Sequence, residues 1–393
     1  MQATVAETEI RRICVVTGSR ADYGLLLPVM RALADHPAFH LQVVVTGQHL
    51  APEFGLTVQT VEADGFTVDA RVDMLLAGDS EVAVAKSVGL GVIGFADALS
   101  RLRPDLLLIL GDRFEILAAA QTALFLKIPI AHLCGGDVTL GAFDESIRHA
   151  VTKMAALHFV TNHESAARVM QMGENPAHVH TVGSTGIDMI LAQPRMSRAE
   201  LEANLGFIFR RRNLVVTFHP VTLDPQSGLA QAQALLDALA DLPDDVGMVM
   251  TLPNADTGGR RLIAMLRDFA VGRPQMALHA SLGQKRYYSL LAQVDAMVGN
   301  SSSGLSEAPS FGIATVNIGD RQEGRLRAAS VIDCPAERSA IAEAIGAALA
   351  GNFRGTVNPY GDGQAARRIV EILARTADFS ALTRKPFFSG IQQ

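Results

Sequence analysis

The chain has 393 residues, 49% of them hydrophobic and 19% charged, with a formal net charge of −6 at pH 7. That length exceeds what one hydrophobic core ordinarily supports, so two domains of roughly 190 residues each are expected. A weakly acidic chain without a long Lys/Arg block argues against nucleic acid or an anionic membrane as partner, and any basic site has to be local.

Cys14, Cys134 and Cys334 are widely spaced and give neither a disulfide framework nor a C-x-x-C metal pattern, which points to a reducing, cytoplasmic compartment. Glu7, Thr8 and Glu9 interrupt the place where a signal peptide needs its apolar core. No later segment offers 18 uncharged apolar residues in a row, so a soluble, unsecreted protein is expected.

In chain order, short apolar runs read as strands: ICVVTG (13–18), LQVVVTG (41–47), LLLILGD (106–112), IPIAHL (128–133) and LHFVT (157–161). Amphipathic stretches at 25–34, 82–102 and 147–155 carry apolar residues near i, i+3 and i+4 and read as helices. After the polar stretch QPRMSRAE (193–200) the rhythm restarts with NLVVTFHP (213–220), VGMVMTLPN (246–254), QMALHA (275–280), VDAMVGN (294–300) and IATVNIG (313–319). Alternating strand and helix predicts parallel sheets covered on both faces, hence an α/β protein of two doubly wound, Rossmann-like domains. Their predicted limits are 1–192 and 193–362, with a final helical segment at 363–380.

Ligands of such sheets bind beyond the carboxyl ends of the strands. Arg20, Asp22, Gln48, His49, Asp112, Arg113, Asp137, His219, Asn254, Ser301 to Ser303 and Arg321 all follow a predicted strand end. The two rows of strand ends are expected to face one another across an interdomain active-site cleft. One G-x-G-x-x-G match, GLGVIG (89–94), lies inside a helical stretch and follows no strand, so it reads as small residues for helix packing. No P-loop pattern occurs.

GNSSSGLSEAPS (299–310) reads either as a capped, solvent-exposed turn or as a strand-to-helix junction whose N–H groups and hydroxyls grip a phosphate. Arg321, Arg325 and Arg327 gather in one loop, enough charge to hold a diphosphate. In AHLCGGDVTLGAFDESIRHAVTKM (131–154), Asp144 and Arg148 share a helix face, as do Glu145 and His149. With Asp112 and Asp137 at neighbouring strand ends and His219 across the cleft, these carboxyl groups are equipped to move protons, because close like charges split their pKa values. No G-x-S-x-G or Cys/His nucleophile signature and no metal-ligand spacing is present, so neither acyl transfer nor a metal or other cofactor is expected.

At this point the chain resembles the hydrolysing UDP-N-acetylglucosamine 2-epimerases of sialic-acid-type biosynthesis. The resemblance rests on TGSRADYGLL (17–26), VTGQHLAPEFG (45–55), GDRFE (111–115), GGDVTLGAFDESIRHAVTKMAALHF (135–159), FHPVT (218–222), PNADTG (253–258), GNSSSGLSEAPS (299–310) and NIGDRQEGR (317–325), in the family's order. It implies the two-domain fold of one large group of glycosyltransferases (glycosyltransferase-B-like), with a C-terminal helix crossing back to the first domain. It further implies loss of the C2 proton with anti elimination of UDP, then water addition with inverted C2 configuration. UDP contacts fall by this resemblance on Arg20, Arg113, His219, Asn254, Ser301, Ser302, Glu307 and Arg321. The acid/base and orienting groups fall on Asp112, Asp137, Asp144 and Arg148, with His219 steadying the departing phosphate. A homodimer or homotetramer is implied as well.

The family commonly reads H-G-G-E where this chain has Cys134, Gly135, Gly136 and Asp137. A shift of about 1 Å in a proton-transfer group costs roughly a hundredfold in rate. Either the backbone compensates, or activity is low, or the substrate is the 2,4-diacetamido-2,4,6-trideoxy sugar nucleotide handled by a related, legionaminic-acid branch. A glycosyltransferase of the same architecture and a nucleotide-sugar binding protein with a disabled Asp137 are the alternatives.

Overall fold

The computed structural model describes residues 10–76, 80–138, 144–219, 227–252 and 259–389. The chain divides into two compact units, residues 1–189 with 363–393, and residues 190–362. Among the described residues, the first unit holds seven parallel strands: β1 (Arg11–Thr17), β2 (Phe39–Thr46), β3 (Ala70–Val72), β4 (Leu106–Leu110), β5 (Ile130–Leu133), β6 (Leu157–Val160) and β7 (Val179–Thr181). Their order is β3-β2-β1-β4-β5-β6-β7. The described residues of the second unit hold six, β8 (Arg212–Thr217), β9 (Val246–Thr251), β10 (Met276–His279), β11 (Ala296–Gly299), β12 (Ala314–Ile318) and β13 (Val331–Cys334), in the order β10-β9-β8-β11-β12-β13.

Side chains alternate across these strands, so the first sheet feeds two cores. Ile13, Val15, Val43, Leu106 and Leu108 pack on one face of the first sheet, with Leu26 and Met30 of the helix Arg20–Ala34. Cys14, Val16, Val44, Leu107 and Ile109 pack on the other, with Phe95 and Leu99 of the helix Glu81–Leu102. All five residues of β4 are buried, which is why the strand reads as an unbroken apolar run. The sequence passed over β3, β7 and β13. These are strands of three or four residues at sheet margins, only partly buried, and they leave no apolar run to find.

GLGVIG lies within the helix Glu81–Leu102, where a Cβ on Gly91 would sit 2.9 Å from the Ala118 Cβ and from the Met74 methyl. Gly91 and Gly94 serve close packing, whereas a Cβ on Gly89 would meet nothing within 4 Å. By length and composition this helix is long and apolar enough to cross a membrane, and here it covers the sheet and packs on the helix Phe114–Phe125.

The C-terminal helix Ala365–Arg375 belongs to the first unit, burying Ile369, Val370 and Leu373 in its core. The Asp188 carboxylate accepts from the backbone N–H groups of Ala365 (3.0 Å) and Ala366 (2.7 Å), satisfying donors that a helix start leaves open. At the other end, the Arg11 guanidinium donates to the carbonyls of Leu373 (3.1 Å) and Thr376 (2.6 Å). Both strand orders reverse beside the first strand of their unit, between β1 and β4 and between β8 and β11. Those are the crevices where open parallel sheets bind ligands.

Candidate functional site

In the first unit, β4 and β5 pair in register Leu110↔Leu133, so Asp112 and Asp137 follow neighbouring strand ends. The turn after β4 needs positive φ at Gly111 (+79°), and its carbonyl accepts from His132 Nε2 at 2.8 Å. Burial drives the His132 pKa down to about 4, so this ring is a neutral brace beneath the turn that aims Asp112. After β5 the chain takes positive φ at Cys134 (+62°) and Gly136 (+78°). A Cβ at Gly136 would lie 2.4 Å from the Ser165 carbonyl oxygen, so the loop runs hard against the helix His163–Gln171.

That approach brings Asp137 Oδ1 within 2.6 Å of two hydroxyl donors, Thr161 Oγ1 and Ser165 Oγ. Burial raises the Asp137 carboxyl above its ordinary value, against the pull of the Ser165 and Thr161 hydrogen bonds and of Arg168. The helix Asp144–Met154 supplies Arg148, whose Nη2 meets Asp112 Oδ2 and whose Nη1 donates to the Asp137 carbonyl at 2.7 Å. One buried guanidinium thus ties both strand ends together. Asp144, half-buried, opens that helix one turn before Arg148, and Glu145 pairs with His149 at 3.7 Å.

Arg113 precedes the helix Phe114–Phe125, and its Nε donates to Glu115 Oε2 at 3.2 Å. Glu115 is fully buried, and burial raises its pKa. Room for it exists only because two strand ends carry glycine: a Cβ at Gly47 would lie 2.8 Å from Glu115 Oε1, and one at Gly18 would lie 3.3 Å from its Cβ. Asp22 is spent locally, accepting from Gly18 N (2.8 Å) and Ser19 N (2.7 Å) in a capping box. Arg20 opens the same helix with its side chain exposed.

In the second unit, the strand ends of β8, β11 and β12 meet at Asn300, a residue with no solvent exposure. Its Oδ1 accepts from His219 N (2.7 Å) and its Nδ2 donates to His219 O (2.9 Å). Its own carbonyl accepts from Arg321 Nη1 (3.1 Å) and Gln322 Nε2 (2.9 Å). Gly299 allows this closeness, since a Cβ there would fall 1.9 Å from the Thr217 carbonyl oxygen. The serines then enter a helix of only four residues, Ser303–Ser306, which ends on Glu307. With so short a helix, the hydroxyls and loop N–H groups matter more than a helix dipole.

Ser303 Oγ donates to Glu307 Oε2 and lies 2.5 Å from the Tyr287 hydroxyl, while Tyr288 Oη reaches Glu307 Oε1 at 3.5 Å. Burial raises the Glu307 carboxyl against the pull of Ser303 and Tyr288. A cavity of about 310 Å³ opens here, lined in part by His219, Tyr287, Ser301, Ser303 and Glu307. Of the three arginines read together as an anion loop, Arg327 is drawn away, because its Nε donates to Asp333 Oδ2 of β13 at 2.7 Å.

Asp112, Asp137 and Arg148 therefore converge in one unit, and His219, Arg321, Ser301, Ser302 and Glu307 sit about one strand-end cluster in the other. Asn254 lies outside the described residues. Glu115, His132, Thr161, Ser165 and Asn300 were not among the predicted site residues. Thr161 directly follows β6, so the strand-end rule had the means to find it.

The chain matches the model of the family described as UDP-N-acetylglucosamine 2-epimerase over residues 31–374. It is 38% identical over 324 residues to a GDP/UDP-N,N'-diacetylbacillosamine 2-epimerase (hydrolyzing) of Campylobacter jejuni, covering 82% of this chain and 84% of that one. A UDP-N,N'-diacetylbacillosamine 2-epimerase (hydrolyzing) of Legionella pneumophila is 35% identical over 364 residues, covering 93% and 96%. Among solved structures, the UDP-GlcNAc 2-epimerase of Neisseria meningitidis bound to UDP-GlcNAc superposes with a TM-score of 0.78 at 20% identity, covering 93% of this chain and 100% of that one.

Proposed function

We propose that this chain, which belongs to the UDP-N-acetylglucosamine 2-epimerase family and is an enzyme of its hydrolysing kind, acts on a UDP-linked 2-acetamido hexose and releases the free manno-configured sugar and UDP. The observation that supports the reading is the Arg148 bridge, which holds the Asp112 carboxylate and the Asp137 main-chain carbonyl to one guanidinium and so sets two carboxyl-bearing strand ends side by side.

In the first half-reaction Asp112, ion-paired to Arg148, takes the C2 proton as the C1–O bond to the diphosphate breaks, leaving a C1=C2 glycal. In the second, water adds its hydroxyl at C1, and C2 receives a proton on the face opposite to the one that was lost. Asp137 suits that donor role, because burial favours its protonated form. Asp144, one helical turn from Arg148, assists at the same wall. The second unit takes the nucleotide. Glu307 accepts from the ribose hydroxyls, Ser301 and Ser302 hold the diphosphate with Arg321, and His219 steadies it as it leaves. Arg20, Arg113 and Asn254 complete the nucleotide contacts.

A role in nonulosonic acid assembly accords with 36% identity over 355 residues to the polysialic acid biosynthesis protein P7 of Escherichia coli. The free thiols of Cys14, Cys134 and Cys334 accord with a cytoplasmic location. Val82, Leu90 and Ile93 stand exposed along the helix Glu81–Leu102, an apolar strip of the kind that assembly into a homodimer or homotetramer would cover.

The test is incubation with UDP-N-acetylglucosamine, and separately with its 2,4-diacetamido-2,4,6-trideoxy counterpart, in deuterated water. The expected products are UDP and a manno-configured sugar carrying deuterium at C2. UDP release without deuterium, or no release from either substrate, refutes the reading.

A further inference from the structure

In the second unit's cavity of about 310 Å³, the hydroxyls of Tyr287, Ser303 and Tyr288 gather about Glu307, and none of the three is among the predicted nucleotide contacts. The backbone that carries Glu307 is fixed first. Its N–H donates to the Ser303 carbonyl at 2.9 Å, and the turn so closed is pressed onto β12. Thr315 Oγ1 donates to the Gly304 carbonyl at 2.7 Å, and a Cβ at Gly304 would lie 2.5 Å from the Thr315 methyl. A glutamate on a fixed backbone still keeps its rotamer freedom unless partners remove it.

Here a chain of hydroxyls removes it, and the chain has one direction. Ser303 Oγ carries a single hydrogen and gives it to Glu307 Oε2. Toward the Tyr287 hydroxyl, 2.5 Å away, Ser303 is therefore the acceptor. The Met297 thioether also lies near that hydroxyl, but at 3.7 Å and as a weaker acceptor. Burial and the Glu307 charge both raise the Tyr287 pKa, so the phenol keeps the proton it donates. Tyr287, on the helix Gly283–Leu291, thus steadies Glu307 through Ser303. The other carboxylate oxygen, Oε1, is held more loosely, by the Tyr288 hydroxyl at 3.5 Å. Each carboxylate oxygen offers about two acceptor sites, so one protein donor apiece leaves room for a ligand on both.

A carboxylate held in this way matches a vicinal diol, one hydroxyl to each oxygen. We propose that Tyr287 and Ser303 are positioning residues that hold Glu307 in the one setting from which it accepts from two adjacent ribose hydroxyls, and that this relay makes the cavity select a ribonucleoside diphosphate over its 2'-deoxy and 3'-deoxy counterparts. The relay rests on the reading of Glu307 given above and names the residues that make that contact selective. A hydrogen bond to a charged group is worth about 10- to 100-fold in affinity, which is the penalty expected for a nucleotide lacking one of the hydroxyls.

The experiment is calorimetry with UDP, 2'-deoxy-UDP and 3'-deoxy-UDP on the full chain, for wild type, Tyr287→Phe, Ser303→Ala and the double variant, with thermal midpoints to check that each folds. Wild type is expected to prefer UDP by about 10- to 100-fold. Tyr287→Phe deletes one oxygen and leaves the ring in place. It should weaken UDP binding by up to about tenfold and the deoxy nucleotides less, so the preference shrinks. Because Tyr287 acts through Ser303, adding Tyr287→Phe to Ser303→Ala should change the preference by less than about twofold. A Tyr287 hydroxyl of merely structural value would weaken all three nucleotides alike, or add its loss in full to that of Ser303→Ala, and either result overturns the relay. So does a wild-type preference that Tyr287→Phe leaves unmoved, which strikes the relay alone. Equal wild-type affinity for the three nucleotides removes Glu307 from the ribose, and absence of UDP binding by wild type strikes the functional reading itself.

Discussion

Arg148 is where the reasoning about the site is most exposed to test. Its side chain is 7% exposed, that of Asp112 is 21% exposed, and the two form an ion pair. Its other terminal nitrogen donates to the Asp137 carbonyl at 2.7 Å. Arg148→Ala removes the counter-charge from a largely buried carboxylate, an effect of about 3 kcal/mol, and a hydrogen bond worth about 1 kcal/mol. If that loss falls on the transition state, kcat drops by about 100- to 1,000-fold. Arg148→Lys keeps the charge but replaces a planar fork with a point donor unable to serve both acceptors, so a loss of about tenfold is expected. Initial rates of UDP release, with KM fitted separately, read these values. UDP affinity by calorimetry should stay within about twofold of wild type, because the Arg148 bonds to Asp112 and to the Asp137 carbonyl belong to the proton-transfer wall and not to the proposed nucleotide contacts. An Arg148→Ala protein that keeps more than about a tenth of wild-type kcat would show that the bridge does not organise the chemistry.

In the second unit, Asn300→Ala removes the amide that bonds both the His219 N–H and its carbonyl, so the UDP dissociation constant should rise about tenfold or more while the first unit's proton exchange at C2 persists at saturating substrate. Calorimetry with UDP and deuterium incorporation separate the two effects. Away from the site, Glu174 is 2% exposed and accepts from His158 Nε2 (2.9 Å) and Lys385 Nζ (2.7 Å), with Lys153 as a third cationic neighbour. Burial alone would raise its pKa, but the bonds from His158, Lys153 and Lys385 bring it down to about 2. Its contribution is therefore complete above its unfolded-state value of 4.5 and is lost as pH falls toward 2. His158, depressed by burial, shifts stability in the same direction on acidification below its ordinary 6.5. Glu174→Gln should cost about 3 kcal/mol and flatten the acid limb of a thermal-midpoint profile, and an unchanged profile would contradict the assignment.

The strands were legible because a parallel sheet covered on both faces writes itself as apolar runs, as in β4 with every residue buried. Asp112 and Asp137 were legible because one topological rule sorts residues by strand end. The rest depends on meetings that no local pattern records. Glu115 sits in a helix and looks like an ordinary first-turn acid. Its burial follows from Gly18 and Gly47 arriving beside it from two other strands. Thr161 and Ser165 look like the surroundings of the Asn162 helix cap, which they also are. Asn300 was read as part of a serine-rich turn, whereas its amide joins the ends of β8 and β11. Arg327 was grouped with Arg321 because β13 was not foreseen, and β13 carries the Asp333 that claims it.

The shorter acid at position 137 admits two readings, a worn remnant of a longer glutamate or a group built into its own loop, and the geometry separates them. A remnant would leave its carboxylate short of partners. Here Thr161 and Ser165 both donate to Oδ1 at 2.6 Å, and the glycine before it lies against the Ser165 carbonyl, so the loop seats the shorter side chain directly on the helix. Asp137→Glu extends the side chain by one bond, about 1.5 Å, and drives the carboxylate past both hydroxyls. The expected result is a fall in kcat of about 10- to 100-fold. The hydroxyls favour the ionised form, so Ser165→Ala should raise the Asp137 pKa further and move the alkaline limb of the kcat/KM profile to higher pH. A faster Asp137→Glu enzyme, or an alkaline limb that moves down in Ser165→Ala, would mean that Asp137 is not the proton donor whose reach this loop was shaped to set.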